Sequence, residues 1–210
     1  MSSRIFVVTG TDTGVGKTVF SAALVAALDG CYWKPVQAGL DGRTDSETVR
    51  RLSGLPADRI LPEARRLKLA ASPHLGAAAE NISIDRVVLT IPEVKRPLVI
   101  EGAGGVMVPL SPHLLEIELF ASWEEPVIVC ARTALGTINH TLLTVEALRR
   151  RRVPIHGIAF IGDEEREVEA TICELGHVAR LGRLPRIRRL GRRALAEAFA
   201  EGFDMREFLD

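Results

Sequence analysis

Cysteine is scarce in this 210-residue sequence: Cys31, Cys130 and Cys173 are the only three. Their number is odd and none sits in C-x-x-C spacing. That excludes a disulfide framework and a thiolate zinc site, and it fits a reducing cytosol. The five histidines, His74, His113, His140, His156 and His177, lack metal-ligand spacing, so no zinc centre is expected. No apolar run approaches the roughly 18 residues of a membrane span. The first apolar run is only about five residues long and soon meets glycines, which does not read as a signal peptide. Neither sign of charge is in surplus, since 27 Lys+Arg face 27 Asp+Glu. A zero balance argues against a dedicated nucleic-acid binder. The expectation is a cytoplasmic protein with neither membrane nor nucleic acid as partner.

Hydrophobic residues make up 47% of the sequence, enough to build a real core. At roughly 150 residues per domain, a single domain over 1–210 is the natural division. Apolar runs at Ile5–Val8, Leu98–Ile100, Val127–Cys130 and Ile155–Ile161 read as strands, with Val178–Leu184 a fainter fifth. Continuous rather than alternating runs suit strands covered on both faces. Helical patterns lie between them, at Thr18–Leu28, Asp45–Leu52 (with Gly54 just past its end) and Ile138–Arg152. The alternation predicts an α/β fold: a parallel sheet with helices on both faces, in three layers. Leu55–Asn81, with Pro56, Pro62 and Pro73, reads as loop and short helix. Arg149–Arg152 reads as a helix end, where cations favour the dipole. The Arg180–Arg193 cluster reads either as a phosphate contact or as a solvated face. Cys130 reads as a buried thiol, and Trp33 and Trp123 as packing residues.

The strongest chemical signal is Gly10-Thr11-Asp12-Thr13-Gly14-Val15-Gly16-Lys17-Thr18, which follows a strand and opens a helix. Glycines let backbone N–H groups crowd around phosphate oxygens, and the helix N-terminus adds positive potential. Lys17 is placed to reach the β- and γ-phosphates, and the Thr18 hydroxyl to coordinate Mg²⁺. The loop is one residue longer than the usual Walker A pattern, with five residues rather than four between Gly10 and Gly16. A P-loop NTPase-like fold follows. A second signal is the strand Leu98–Ile100 ending in Glu101-Gly102-Ala103-Gly104-Gly105. An acid at the carboxyl end of a parallel strand faces the ligand crevice and can hold Mg²⁺ beside a phosphate loop. Taken alone, Thr44-Asp45-Ser46-Glu47 reads as a helix cap. Taken alone, Lys34-Pro35-Val36-Gln37-Ala38-Gly39 is ambiguous, since a Lys at a strand end followed by Pro and Gly also fits an ordinary turn.

Together these segments resemble dethiobiotin synthetase. The matches run in order: the lengthened phosphate loop, Lys34-Pro35-Val36-Gln37-Ala38-Gly39, Ser72-Pro73-His74, Glu101–Gly105, and Leu135-Gly136-Thr137-Ile138-Asn139-His140. Five in order are far more specific than any one. The resemblance implies ATP-dependent carboxylation of 7,8-diaminopelargonate by CO₂ and closure of a ureido ring, giving dethiobiotin, ADP and phosphate. The intermediates would be a carbamate and a carbamic-phosphoric anhydride.

The resemblance also implies roles. Lys17, Lys34 and Thr13 would be catalytic. Gly14, Val15, Gly16, Lys17, Thr18, Val19, Glu101, Gly102, Ala103, Gly104, Gly182, Leu184 and Pro185 would bind nucleotide. Thr18, Asp45 and Glu101 would hold Mg²⁺. Thr13, Lys34, Ala38, Gly104, Gly105, Gly136, Thr137, Ile138 and Asn139 would bind substrate. The last four would come from a second copy, so a homodimer with composite sites is implied. Without the resemblance, Thr137 reads as an N-cap.

Two departures stand out. Ala38 replaces a hydroxyl residue, which either drops a substrate hydrogen bond or leaves it to Gln37. The strand Gly157–Asp163 carries no Asn to read adenine, so backbone groups near Gly182–Pro185 or a lax nucleotide choice would have to serve. The rival readings on the same scaffold are a partition or division-positioning ATPase switch and another ATP-dependent ligase. The switch class carries an extra lysine where this chain has Thr11. Its membrane-targeting members end in a basic helix, whereas Ala194–Asp210 carries Glu197, Glu201, Asp204, Glu207 and Asp210.

Overall fold

The computed structural model describes residues 4–209. In chain order the elements are β1 (Ile5–Gly10), α1 (Lys17–Ala27), β2 (Cys31–Trp33), β3 (Val36–Ala38) and α2 (Asp45–Ser53). A 3₁₀ turn at Ala57–Arg59 precedes β4 (Arg65–Leu67), α3 (Pro73–Ala79) and β5 (Leu98–Gly105). Then come β6 (Pro109–Ser111), β7 (Leu114–Leu115), α4 (Glu116–Trp123), β8 (Val127–Arg132) and α5 (Thr137–Arg150). The chain closes with β9 (Ile155–Ile161), α6 (Arg166–Gly176), β10 (Arg180–Leu184), α7 (Arg192–Gly202) and α8 (Arg206–Leu209).

Six strands form one sheet in the order β10-β9-β8-β1-β5-β2, and every pairing in it is parallel. Side chains alternate faces along a strand, and the cores follow that alternation. Phe6, Val8, Val99, Ile128 and Cys130 join one core with Phe20 and Leu24 of α1, Leu52 of α2 and Phe199 of α7. Val7, Leu98, Ile100, Val127 and Val129 join the opposite core with Phe120 of α4, Leu148 of α5 and Ile172 of α6. Both faces are thus covered, which is why these strands are continuously apolar. Each such side chain contributes roughly 1.5–3 kcal/mol when fully buried. A smaller cluster of Val36, Leu67, Leu110 and Leu119 ties the short pairs β3–β4 and β6–β7 to the sheet.

Among the described residues no helix is long and apolar enough to cross a membrane. Several elements were not visible beforehand. The sheet's edge strand β2 is one of them, as are helices α4 and α6. β5 also continues past Ile100 to Gly105. The expected strands and helices otherwise stand close to where the apolar pattern put them.

The winding reverses at β1: β2 and β5 lie to one side, β8, β9 and β10 to the other. In open parallel sheets, ligands bind outside the carboxyl ends of the strands at such a switch point. Gly10 pairs with Gly105 there, so the phosphate loop and the Glu-Gly-Ala-Gly-Gly segment leave the sheet side by side.

Candidate active site

The loop between β1 and α1 is shaped by its glycines. Gly16, the N-cap of α1, sits at φ 106, a left-handed conformation that disfavours a side chain. A Cβ there would also lie 2.8 Å from Ile161. Asp12 organises the loop from within. Its Oδ1 accepts the Thr13 N–H at 2.7 Å, its backbone carbonyl accepts Lys17 Nζ at 2.9 Å, and its Oδ2 pairs with Arg132 at 2.8 Å. Lys17 is buried, and burial together with the nearby Lys34 charge holds its pKa below the ordinary lysine value.

The second set of charges arrives from β2, α2 and β5. Lys34, just past β2, places its Nζ 2.9 Å from Asp45 Oδ2 and 3.4 Å from Glu101 Oε1, and donates to the Gly102 carbonyl at 2.8 Å. Burial pulls the Lys34 pKa down, but the Glu101 and Asp45 carboxylates outweigh it and hold it at about 12. Asp45 shows the same pairing from the other side: burial pushes its pKa up, Lys34 pulls it down, and it ends below the usual carboxylate value. Thr18 Oγ1 lies 2.7 Å from Glu101 Oε1 and 3.0 Å from Asp45 Oδ1.

Asp45 is free for this because it is not the cap. Thr44 caps α2, accepting the Glu47 N–H at 3.2 Å while Glu47 accepts the Thr44 N–H at 2.9 Å. The segment is thus a helix cap, as it reads alone, with Thr44 as the capping residue. Asp45 is the first helical residue, and its carboxylate points into the crevice.

One hydroxyl and two carboxylates therefore face a common point. Oxygen donors alone, two of them anionic, suit a hard divalent cation such as Mg²⁺ rather than zinc. Beside them opens a cavity of about 480 Å³, lined by Thr13, Lys34, Ala38, Asp45, Ser72 and Gly104. Thr13 Oγ1 faces Gly104, only 3.2 Å from where a Cβ on that residue would stand. Gln37 is not available to replace a hydroxyl at Ala38. Its amide donates to the Ala38 and Gly39 carbonyls, and its Oε1 accepts the Asp45 N–H. Its work is to hold the start of α2.

Gly136, Thr137, Ile138 and Asn139 do not line that cavity. They stand at the start of α5, beyond β8, where a separate cleft of about 440 Å³ runs from Thr11, Asp12 and Thr13 to His140 and Leu143. The N-cap is Gly136, not Thr137, which corrects the capping alternative. Thr137 is buried, with Oγ1 3.4 Å from Thr141 Oγ1 and its N–H on the Ala134 carbonyl at 3.1 Å. The first-turn N–H groups of Ile138 and Asn139 have no carbonyl one turn back inside the helix.

The far end of the sheet is built differently. Gly162 donates to the Leu184 carbonyl at 3.0 Å and accepts from Arg183 Nη1 at 3.0 Å. Glu169, buried on α6, takes Arg180 at 2.7 Å and Arg183 at 3.5 Å. Much of the basic cluster is therefore paired with acids. A Cβ on Gly182 would run into the Gly202 carbonyl and the Phe203 ring, so packing of the end of α7 on β10 already accounts for that glycine.

Three residues of the site escaped the sequence. Tyr32 is fully buried and donates to Glu101 Oε2 at 2.8 Å. Glu116 lies beneath the Glu101–Gly105 segment, where its Oε1 accepts the Ala103 N–H and its Oε2 is buried without a partner. Burial raises its pKa to about 7, against the pull of that N–H and of Lys34. Arg132 steadies Asp12. Only an aromatic residue two positions before Lys34 and an acid opening a helix hinted at the first two.

Known proteins resemble this arrangement. A family model described as an AAA domain matches residues 4–194. The ATP-dependent dethiobiotin synthetase of Rhodopseudomonas palustris (strain TIE-1) is 60% identical over 209 residues, which is 100% of this chain and 98% of that one. Its namesake from Agrobacterium fabrum is 59% identical over 210 residues, 100% and 99% of the two chains. The chain belongs to the ATP-dependent dethiobiotin synthetase family. Solved structures with the same fold include a ParA family ATPase from Chlorobium tepidum, with TM-score 0.56 and 11% identity over 93% of this chain and 97% of that one. The MinC:MinD cell division complex of Aquifex aeolicus matches with TM-score 0.54 and 13% identity, over 93% and 86%. At such identities these show a shared P-loop α/β fold and nothing of the reaction. Dethiobiotin synthetase family membership, by contrast, rests on sequence along the whole chain, and the partition-switch reading is not favoured.

Proposed function

We propose that this chain makes dethiobiotin: it carboxylates 7,8-diaminopelargonate with CO₂ and closes the ureido ring at the expense of ATP, releasing ADP and phosphate. One observation carries the reading. Segments far apart in sequence, from Thr13 to Glu101, converge on one crevice in which Lys34 bridges Asp45 and Glu101 beside the phosphate loop.

In the reaction an amine of the substrate adds to CO₂, giving a carbamate and a proton. A carbamate oxygen then displaces ADP from the γ-phosphorus, forming the mixed anhydride. The second amine attacks the carbamoyl carbon, and phosphate leaves. Both partners of the phosphoryl transfer are anions, so their encounter needs fixed cations and N–H donors. Lys17, at the mouth of α1, neutralises the phosphates. Lys34 serves the carbamate oxygens from the other side of the cavity; with its pKa near 12 it stays charged throughout the working pH range. Thr13 orients the carbamate or a phosphate oxygen opposite Gly104. The N–H groups from Gly14 to Val19 and from Gly102 to Gly105 cradle phosphate and substrate. No residue needs to be a covalent nucleophile, because positioning and charge neutralisation account for most phosphoryl-transfer catalysis.

Thr18, Asp45 and Glu101 are the residues that would hold Mg²⁺, which when bound supplies charge neutralisation on the transferring phosphoryl group. Near the base, backbone groups of Gly182, Leu184 and Pro185 contribute contacts without a base-reading Asn. The substrate's carboxylate tail is taken by the first turn of α5, at Gly136, Ile138 and Asn139, from a second copy of the chain. Exposed Met107, Leu135 and Leu143 supply apolar area for that homodimer. The whole chain acts as one ligase domain, and its three free thiols suit the cytoplasm.

The test is phosphate release with MgATP and bicarbonate, with and without the diamine, with the product weighed by mass spectrometry. Diamine-dependent release with the dethiobiotin mass is expected. Release that ignores the diamine would overturn the reading.

A further inference from the structure

We infer that Tyr32 is a positioning residue for the metal site: its hydroxyl fixes Glu101 so that one carboxylate oxygen alone faces the crevice. The inference rests on the proposed role of Glu101 and adds a residue to it.

Glu101 is buried at 1% exposure, and its two oxygens have different surroundings. Oε1 faces Thr18 Oγ1 at 2.7 Å and Lys34 Nζ at 3.4 Å. Oε2 points the other way and receives the Tyr32 hydroxyl at 2.8 Å. Tyr32 has no freedom to give this up. Its ring is fully buried in the core beneath α1 and α2, among Phe20, Leu24, Val49 and Leu52. Its backbone is locked as well, paired in register with Val99 of β5 and bonded through its carbonyl to the Leu61 N–H at 2.8 Å. A rigid ring on a rigid strand thus holds a carboxylate midway along the neighbouring strand β5. Partners of this kind, bonded to a ligand rather than to the metal, set the ligand's orientation and basicity. A purely apolar core would have asked for Phe here, since a buried hydroxyl is costly unless it is paired. The one hydrogen bond that Tyr32 adds over Phe goes to Glu101.

The sequence contains a single tyrosine, which makes the test unusually direct. In the full-length protein with a non-hydrolysable ATP analogue, Mn²⁺ is titrated and free Mn²⁺ is followed by electron paramagnetic resonance. Tyr32→Phe should raise the Mn²⁺ Kd by on the order of 10-fold while keeping the fold, as judged by circular dichroism. Glu101→Gln serves as the reference loss. If Glu101→Gln weakens Mn²⁺ binding and Tyr32→Phe does not, the positioning role is wrong and the metal reading survives. If neither variant changes the Kd, both fall together. A second measurement needs no variant at Tyr32. With 3-fluorotyrosine incorporated, the one ¹⁹F resonance should shift when Mg²⁺ is added to the analogue-bound protein, and the Glu101→Gln background should abolish that shift. A resonance indifferent to Mg²⁺ would overturn the inference.

Discussion

The two ends of the nucleotide crevice are made of different materials. At the phosphate end, three charged groups from three parts of the chain meet within hydrogen-bonding distance: the buried Lys34 and Glu101 and the half-buried Asp45, with the Thr18 hydroxyl between the carboxylates. At the β9–β10 end, the charges are arginines already paired with Glu164 and Glu169, and Gly162 occupies both its N–H and its carbonyl locally. Buried ions without good partners are costly, so a cluster such as the first is retained where it has a charged ligand to meet. The second end stabilises the fold and offers a nucleobase mainly backbone. The difference supports the proposed reading, in which a triphosphate and its metal are held firmly and a base loosely.

Removing Lys17, the proposed phosphate cation, should break the firm end. Lys17→Ala should lower turnover by on the order of 10³-fold, measured as diamine-dependent phosphate release; near-normal turnover would dissolve the contrast. Glu116→Gln probes the floor of the same end. The Glu116 pKa is raised from 4.5 to about 7 in the folded protein. A carboxyl raised in this way contributes stability that is complete below its unfolded pKa and is lost as pH climbs through the folded one. From pH 4.5 to pH 7 and above, the wild type should therefore lose stability relative to Glu116→Gln, by on the order of 3 kcal/mol in total. Parallel denaturation midpoints at pH 5 and pH 8 check this, and a constant difference between the two proteins would contradict it. Asn139→Ala separates the tail site from the crevice: the diamine KM should rise by roughly 10-fold, the worth of one hydrogen bond to a charged group, with the ATP KM nearly unchanged. Equal changes in both would remove that role. The smallest effect belongs to the loose end. GTP or CTP should sustain turnover within about 10-fold of ATP, whereas a site that hydrogen-bonds a chosen base edge rejects the wrong one by 10⁴ or more.

The phosphate end was also the more legible in sequence, for physical reasons. The phosphate loop is contiguous, and strand, glycines and Lys17-Thr18 must stand in register for it to work. Strands β1, β8 and β9 announced themselves because burial on both faces demands unbroken apolar runs. Edge strand β2 did not, because Cys31-Tyr32-Trp33 is too short to show a period and is cut off at once by Lys34-Pro35. Helix α4 lacked a start signal: it follows β7 directly, and its first-turn N–H groups, on Glu116 and Ile117, donate to the Val108 and Val106 carbonyls rather than to a polar residue ahead of it. Thr44–Glu47 read as a helix cap, which it is, and that reading alone did not show that Thr44 does the capping and leaves Asp45 to the crevice. Tyr32 and Glu116 act on partners 69 and 13 residues away, a relation that only the fold creates.

The most direct test of the central claim, that the crevice sets a carbamate oxygen on the γ-phosphorus, follows that oxygen. With ¹⁸O-labelled CO₂ and rapid quenching before exchange with water, the account predicts one ¹⁸O in each phosphate released, because the oxygen that attacks phosphorus leaves with it when the ring closes. Phosphate that instead acquires its new oxygen from solvent would contradict the account.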